Sequence, residues 1–216
     1  MKSSVILAPA LLLAAALAAV YAAGGQAQSH DHHHDHSAHQ HHQHTTLKAA
    51  TVNQQDSIYH LAASWTDHHQ KTLALADFQG QPVIISMIYG SCRTACPLLV
   101  NDARNLFDAL PATQQQQTRV VFVSFDTNKD TPAELADYAS RLGISSPNWH
   151  FLHGADNDIR SLAMLLGIRF RAKDDGTFDH SNVISILDTE GRIAYRSEGL
   201  RQPPEPALAA LAKIKL

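Results

Sequence analysis

Apolar residues are unevenly spread along this chain, and their spacing changes from one stretch to the next. Val83 to Tyr89 and Arg119 to Phe125 are nearly continuous apolar runs, as expected of strands covered on both faces. An amphipathic stretch follows each. Leu98, Leu99, Leu106 and Leu110 recur at helical spacing between Pro97 and Pro111, and Pro97 suits a first helical turn, where a missing N–H is harmless. Thr131-Pro132-Ala133-Glu134 spells a capping box, predicting a helix to Leu142 that Gly143 ends. Asp158 to Leu166, closed by Gly167, predicts another helix, and Pro204 to Lys213 the last. Val183 to Leu187 and Arg192 to Arg196, joined by Asp188-Thr189-Glu190-Gly191, read as a strand pair. Trp65 to Leu75 reads as a short hairpin turning around His68 to Lys71. Strand–helix–strand–helix followed by a hairpin and a helix predicts an α/β fold with a mixed sheet flanked by helices.

The first part of the chain differs. Lys2 precedes an apolar, Leu- and Ala-rich stretch from Val5 to Val20, and Gly25-Gln26-Ala27 offers a small-x-small cleavage site. Residues 1–27 therefore read as an export signal, with an uncleaved membrane anchor as the alternative. Residues 28–53 are polar and of low complexity, too poor in apolar surface to offset their ordering entropy, and are expected to be disordered. The ordered domain is expected from about Ser57 to the C-terminus. A periplasmic location follows from the signal, membrane-bound only if the segment stays attached.

Charge removes one class of partner. The net charge is −3 over 216 residues with no Lys/Arg block, so no electrostatic footprint for nucleic acid is present. Hydrophobic content of 44% supports a packed core in the later part of the chain. Nothing resembles a nucleophile triad, a phosphate loop or paired acid/base carboxylates.

The candidate chemistry lies in sulfur and imidazole. The two cysteines occur together in Ser91-Cys92-Arg93-Thr94-Ala95-Cys96-Pro97, directly after the first buried strand. Thiols at the end of a central strand fit a thioredoxin-like arrangement. In a fully helical setting Cys92 and Cys96 would hold their Cβ atoms about 5–6 Å apart, wider than the roughly 3.8 Å of a relaxed disulfide. A metal ion tolerates that spacing better, because metal–sulfur bonds of about 2.3 Å let the side chains converge. A disulfide remains open if Cys92 sits on the loop, and outside the cytosol one is expected unless metal or a reductase keeps the pair open. Arg93 and the helix N-terminus favour a thiolate at either position. Two thiolates leave a soft metal short of ligands. His180, in Phe178-Asp179-His180-Ser181 just ahead of the strand from Val183, is the candidate third ligand on a loop, although sequence spacing cannot bring it to the thiols. Such a set suits copper, and zinc tolerates it.

From Trp65 onward the chain resembles the Sco/SenC family of thioredoxin-fold copper proteins of cytochrome c oxidase assembly. The resemblance rests on Cys92-x-x-x-Cys96-Pro97 after a buried strand, and on Ser124-Phe125-Asp126 with Asp130-Thr131-Pro132 after the next. Asp179-His180-Ser181 leading into Ile186-Leu187-Asp188 and Gly191 completes it. It departs at Arg93 and Thr127, where the family usually has proline, and in Tyr89-Gly90-Ser91. The resemblance implies that Cys92, Cys96 and His180 are copper ligands, Cu(I) or Cu(II), and that the chain hands copper to cytochrome c oxidase or another copper enzyme. A thiol–disulfide oxidoreductase using Cys92 and Cys96 as its redox pair, with a reductase partner, is the alternative.

Nine histidines lie between His30 and His44, interleaved with Asp31, Asp35 and glutamines. Neutral imidazoles in a flexible tract offer overlapping sites for Cu(II), Ni(II) or Zn(II) that weaken as pH falls below about 6.5. His60, His68, His69, His150 and His153 are expected on the surface or in loops. Asp126 and Asp130 are expected as turn and capping groups, with Asp126 or Asp179 as candidate supports of the ligands. Trp65 and Trp149 are expected in the core.

Overall fold

The computed structural model describes residues 46–215; the expected export signal and the histidines from His30 to His44 lie outside the described residues. A seven-stranded mixed sheet in the order β2-β1-β5-β4-β3-β8-β9 forms the centre. Its strands are β1 (Trp65–Asp67), β2 (Thr72–Leu73), β3 (Val83–Ile88), β4 (Arg119–Ser124), β5 (Trp149–His153), β8 (Val183–Leu187) and β9 (Ile193–Glu198). A separate hairpin pairs β6 (Phe170–Ala172) with β7 (Phe178–His180).

All six residues of β3 are buried, which explains its nearly continuous apolar run: both faces are covered. β3 pairs in parallel with β4, and β4 with β5. Helices make the crossovers that parallel pairing demands. These are α1 (Ala95–Asp108) with the short α2 (Ala112–Gln117), and α3 (Pro132–Arg141). On its other side β3 pairs antiparallel with β8. In α1, Cys96, Leu99, Val100, Ala103, Leu106 and Phe107 are buried, the i, i+3/i+4 stripe of a helix lying on a sheet. α3 starts as its sequence requires, with the Thr131 hydroxyl accepting the Glu134 N–H at 3.3 Å and Pro132 in the first turn. α4 (Asp156–Leu166) ends on Gly167 in the left-handed conformation, φ 66°, a conformation glycine adopts without penalty. α5 (Glu205–Leu211) lies against β8 and β9. Trp65 and Trp149 are buried in the core. Among the described residues no helix is long and apolar enough to cross a membrane.

Three features differ from the sequence expectation, and one alternative left open there is decided. His180 ends strand β7 instead of sitting in a loop; a three-residue strand carries too little alternation to be read. Of the two settings left open for Cys92 the structure has the loop: Cys92 lies in a turn ahead of α1, which begins at Ala95, so the two cysteines do not share a helical face. His68 is buried and His150 and His153 lie on β5, itself flanked by polar residues that hide its period. Residues ahead of Ser57 are already attached to the domain: the Ala50 N–H donates to Gly167 O at 2.9 Å and the Ala49 N–H to Glu198 Oε1 at 2.7 Å. Backbone hydrogen bonding to the domain compensates there for low apolar content.

Candidate metal centre

The sheet topology brings the two halves of the site together. β3 runs out at Ile88, just before the thiols. β8 is antiparallel to it, with Val83 opposite Leu187 and Ile85 opposite Ser185. The end of β3 and the beginning of β8 therefore lie at the same edge, and the residue types that precede Val183 meet those that follow Ile88. His180 arrives on β7 just upstream.

The ligand atoms of Cys92, Cys96 and His180 all lie within 4.8 Å of one another, and all three residues are buried. Among the described residues this is the one group of that kind. Cys96 Sγ is 3.8 Å from His180 Nε2. Ligands 120° apart on one ion, with bonds of about 2.3 Å to sulfur and about 2.0 Å to nitrogen, sit about 3.7 Å from each other. The Cys96–His180 separation thus suits two ligands of one soft or borderline ion, and the Cys92 sulfur lies within 4.8 Å of both.

Each donor is held by its surroundings. The Cys92 N–H donates to Tyr89 O at 3.2 Å, closing the turn. Cys92 Sγ accepts the Cys96 N–H at 3.3 Å, so the sulfur satisfies one of the open amides of the first turn of α1. His180 Nδ1 is 3.2 Å from Ser181 O. A carbonyl can only accept, so Nδ1 carries the proton and Nε2 presents its lone pair to the sulfurs, as a metal-ligating imidazole must. Tyr89 and Phe125 flank the ring, with centroids 5.9 and 5.3 Å away, and Phe178 packs on both.

The thiols are unequal. Hydrogen bonding to Cys96 brings the Cys92 thiol well below the usual range against the opposing effect of burial, and His180 and the amides of Cys96 and Thr94 act in the same direction. Burial pushes the Cys96 thiol up, reinforced by Cys92. One thiolate beside one thiol follows, with the Cys96 S–H donating to the Cys92 sulfur. Both cysteines are free. The stabilising groups are the Cys96 thiol, His180 and the amides of Cys96 and Thr94; Arg93 is exposed.

The other expected residues sort themselves by contact. Asp126 Oδ1 accepts the Lys129 N–H at 3.2 Å, a turn role as expected. Asp179 pairs with Arg171 across the β6–β7 hairpin at 2.7 Å. Asp130 was expected as a capping group, but Thr131 does the capping and the Asp130 carboxylate instead accepts the Gly90 N–H at 2.7 Å. The signal for that role, an aspartate forty residues from its partner, is not local and cannot be read along the chain.

The SCO1/SenC family profile matches residues 51–215. A protein of Stutzerimonas stutzeri named for copper binding is 25% identical over 133 residues, which cover 59% of this chain and 63% of that protein; the alignment thus spans less than two thirds of the relative. The structure of Bradyrhizobium japonicum ScoI with copper bound matches with a TM-score of 0.57 and 24% identity, covering 71% of this chain and 97% of that one. A SCO1/SenC family lipoprotein of Bacillus anthracis matches with a TM-score of 0.64 and 17% identity, covering 79% and 95%. At these identities the two structural likenesses show the fold. The expected thioredoxin-like α/β architecture is thereby borne out, and with the family profile spanning nearly the whole described domain, the chain belongs to the SCO1/SenC family.

Proposed function

We propose that this protein is an exported copper carrier that holds one copper ion through Cys92, Cys96 and His180 and passes it to a copper enzyme, cytochrome c oxidase being the client that the family resemblance implies. The observation that carries the reading is the convergence of the three buried donors within 4.8 Å of one another, with 3.8 Å between Cys96 Sγ and His180 Nε2. Two thiolates and an imidazole suit Cu(I), and with a further ligand Cu(II). Copper is cargo here. The Cys92 thiolate, on the slightly more exposed side at 6% against 0% for Cys96, meets the ion first. Cys96 then gives up its proton to solvent as its sulfur bonds the metal, and the reverse sequence releases copper to a competing thiol or imidazole. Export rests on the signal-like residues 1–27 and is supported by the lipoprotein relative.

The test is copper stoichiometry and affinity of the reduced protein under anaerobic conditions. One Cu(I) per chain is expected, with Cys92→Ala, Cys96→Ala and His180→Ala each weakening it far more than His150→Ala. Equal effects of His180→Ala and His150→Ala reject the assigned ligand set.

A second reading has its own observation. A low-pKa thiol beside a raised one is the asymmetry of a thiol–disulfide oxidoreductase, in which the thiolate attacks and its neighbour resolves the mixed disulfide. In that reading the protein reduces cysteines of a client's copper site and His180 is not needed for ligation. Reductase activity that survives His180→Ala favours it.

A further inference from the structure

We infer that the strap of residues 47–50, anchored by the Glu198 carboxylate, positions His180 and sets how long copper stays at the site; the inference rests on the copper reading above. His180 sits on a ribbon of only two strands, β6 and β7, separate from the central sheet. Two-stranded ribbons are marginal on their own, so a ligand carried on one must be held from elsewhere. The peptide group that follows His180 is held on both sides. Its N–H, which belongs to Ser181, donates to Arg169 O at 2.9 Å, and its carbonyl oxygen accepts the Leu47 N–H at 3.1 Å. A peptide group is planar, so two opposed bonds fix the orientation of that plane and with it the backbone that aims the ring. The ring Nδ1 in turn donates to the next carbonyl, that of Ser181, at 3.2 Å.

Leu47 can grip because the strap is tied down at two further places. The Ala49 N–H donates to Glu198 Oε1 at 2.7 Å, a charge-assisted bond, and the Ala50 N–H donates to Gly167 O at 2.9 Å. Glu198 ends β9 opposite Val183, the first residue of β8, so this anchor belongs to the central sheet. Gly167 closes α4, and a Cβ there would stand 2.5 Å from Ala50 O, so the strap is seated against the helix end. Ala49 is buried between these attachments. Sheet, helix and ribbon are thus joined at the backbone of the late metal ligand, and Glu198 is the one side chain that makes the attachment residue-specific.

Such a hold has a direct consequence for exchange. Copper leaves one ligand at a time, a bond to the acceptor forming as a bond to the protein breaks, and the metal keeps its charge throughout. Both sulfurs lie on the turn and the first helical turn that follow β3, whereas the imidazole comes from the ribbon. A ring held in place rebinds after each dissociation, because tethering keeps it at high effective concentration. A loosened ring yields its position to the acceptor. Glu198 therefore acts on copper through the strap and His180, without touching the metal.

The experiment uses the full chain, reduced and loaded with one equivalent of Cu(I) without oxygen, and reads the rate of copper loss to a chelator. Leu47→Pro, which removes the donor to His180, and Glu198→Ala, which removes the anchor, are each expected to speed release about three- to tenfold, the range one hydrogen bond supports. Near-ultraviolet circular dichroism checks that both are folded. Glu198→Gln, whose amide oxygen still accepts the Ala49 N–H, and Lys48→Ala, which leaves every backbone bond of the strap in place, are expected to release copper at the parent rate. In a His180→Ala background Leu47→Pro is expected to add nothing, because the strap acts through that ring. Parent-like release in both Leu47→Pro and Glu198→Ala overturns the inference. So does Glu198→Gln releasing as fast as Glu198→Ala, or an acceleration by Leu47→Pro that persists without His180. Parent-like release in His180→Ala alone overturns the underlying copper reading instead, so the two failures are told apart.

Discussion

Asp130 grips the thiol loop through Gly90. Its Oδ2 accepts the Gly90 N–H at 2.7 Å and the Ser124 hydroxyl at 2.5 Å, joining the start of α3 and the end of β4 to the turn that carries Cys92. Glycine permits this approach, because a Cβ at position 90 would stand 2.8 Å from Asp130 Oδ1. The carboxyl is buried, and burial raises its pKa against the opposing effect of the two hydrogen bonds. One acidic side chain thereby sets where the first ligand sits without touching it.

Replacing Asp130 with alanine strands two buried donors, at about 1–3 kcal/mol each. Asp130→Ala is expected to lower unfolding stability by about 2–6 kcal/mol on that basis and to weaken copper binding. Asp130→Asn, which keeps one acceptor but brings a donor, is expected to fall between. Denaturant unfolding alongside copper titration checks both; a destabilised Asp130→Ala variant with unchanged copper affinity would show that the grip serves the fold alone.

The unequal thiols predict unequal chemistry. With the Cys92 pKa lowered and that of Cys96 raised, lowering pH from 8 to 5 should leave the reaction of Cys92 with a small alkylating reagent nearly unchanged. An ordinary thiol, with a pKa of about 8.5, would slow roughly tenfold per pH unit over that range. Mass spectrometry of singly alkylated protein should place the label on Cys92. A label distributed equally, or a rate that falls with pH as for a free thiol, contradicts the asymmetry.

Long, strongly patterned elements were legible in the sequence because burial on both faces or on one helical stripe leaves a local imprint. β3, β4, α1, α3 and the β8–β9 hairpin are examples. The capping box at Thr131 and the stop at Gly167 are local chemistry too, and the structure has them where the sequence places them. β5, β6 and β7 were missed because short strands obtain their stability from partners elsewhere in the chain. The two cysteines announced a site, but neither the turn that carries Cys92 nor the approach of His180 is written along the chain. The approach of His180 depends on β8 running antiparallel to β3, and the family resemblance supplied the reason for choosing His180 beforehand. The attachment of Leu47 to His180 was invisible for the same reason: a hydrogen bond from one backbone to another leaves no residue signature.

Phe125 offers a test of how the aromatic wall serves the site. It is buried and packs on Tyr89, Phe170, Phe178 and the His180 ring. Phe122 is equally buried but stacks on Trp149 and Phe151 in the core. Either residue changed to alanine should cost about 3–5 kcal/mol of stability. Phe125→Ala alone should also loosen the His180 ring and speed copper release at unchanged stoichiometry. Equal release rates for the two variants would mean that the wall does not position the ligand.

Acid sensitivity should originate away from the metal centre, at His68. Its Nδ1 accepts the Phe151 N–H at 3.3 Å, and the ring edge packs on Phe151, so the folded state requires the neutral form. Burial lowers its pKa to about 4, with His69 and His150 adding to the effect and Asp67 opposing it. In the unfolded chain the same group titrates near 6.5. Between those values the unfolded state binds the additional proton, so the stabilising contribution is complete above about pH 6.5 and is lost as pH falls towards 4. His150, also shifted down by burial, acts in the same direction. Thermal or denaturant unfolding should therefore show stability declining across that window. His68→Asn, which can still accept the Phe151 amide but cannot take up a proton, should flatten the decline in part. A variant as acid-sensitive as the parent would assign the effect to other groups.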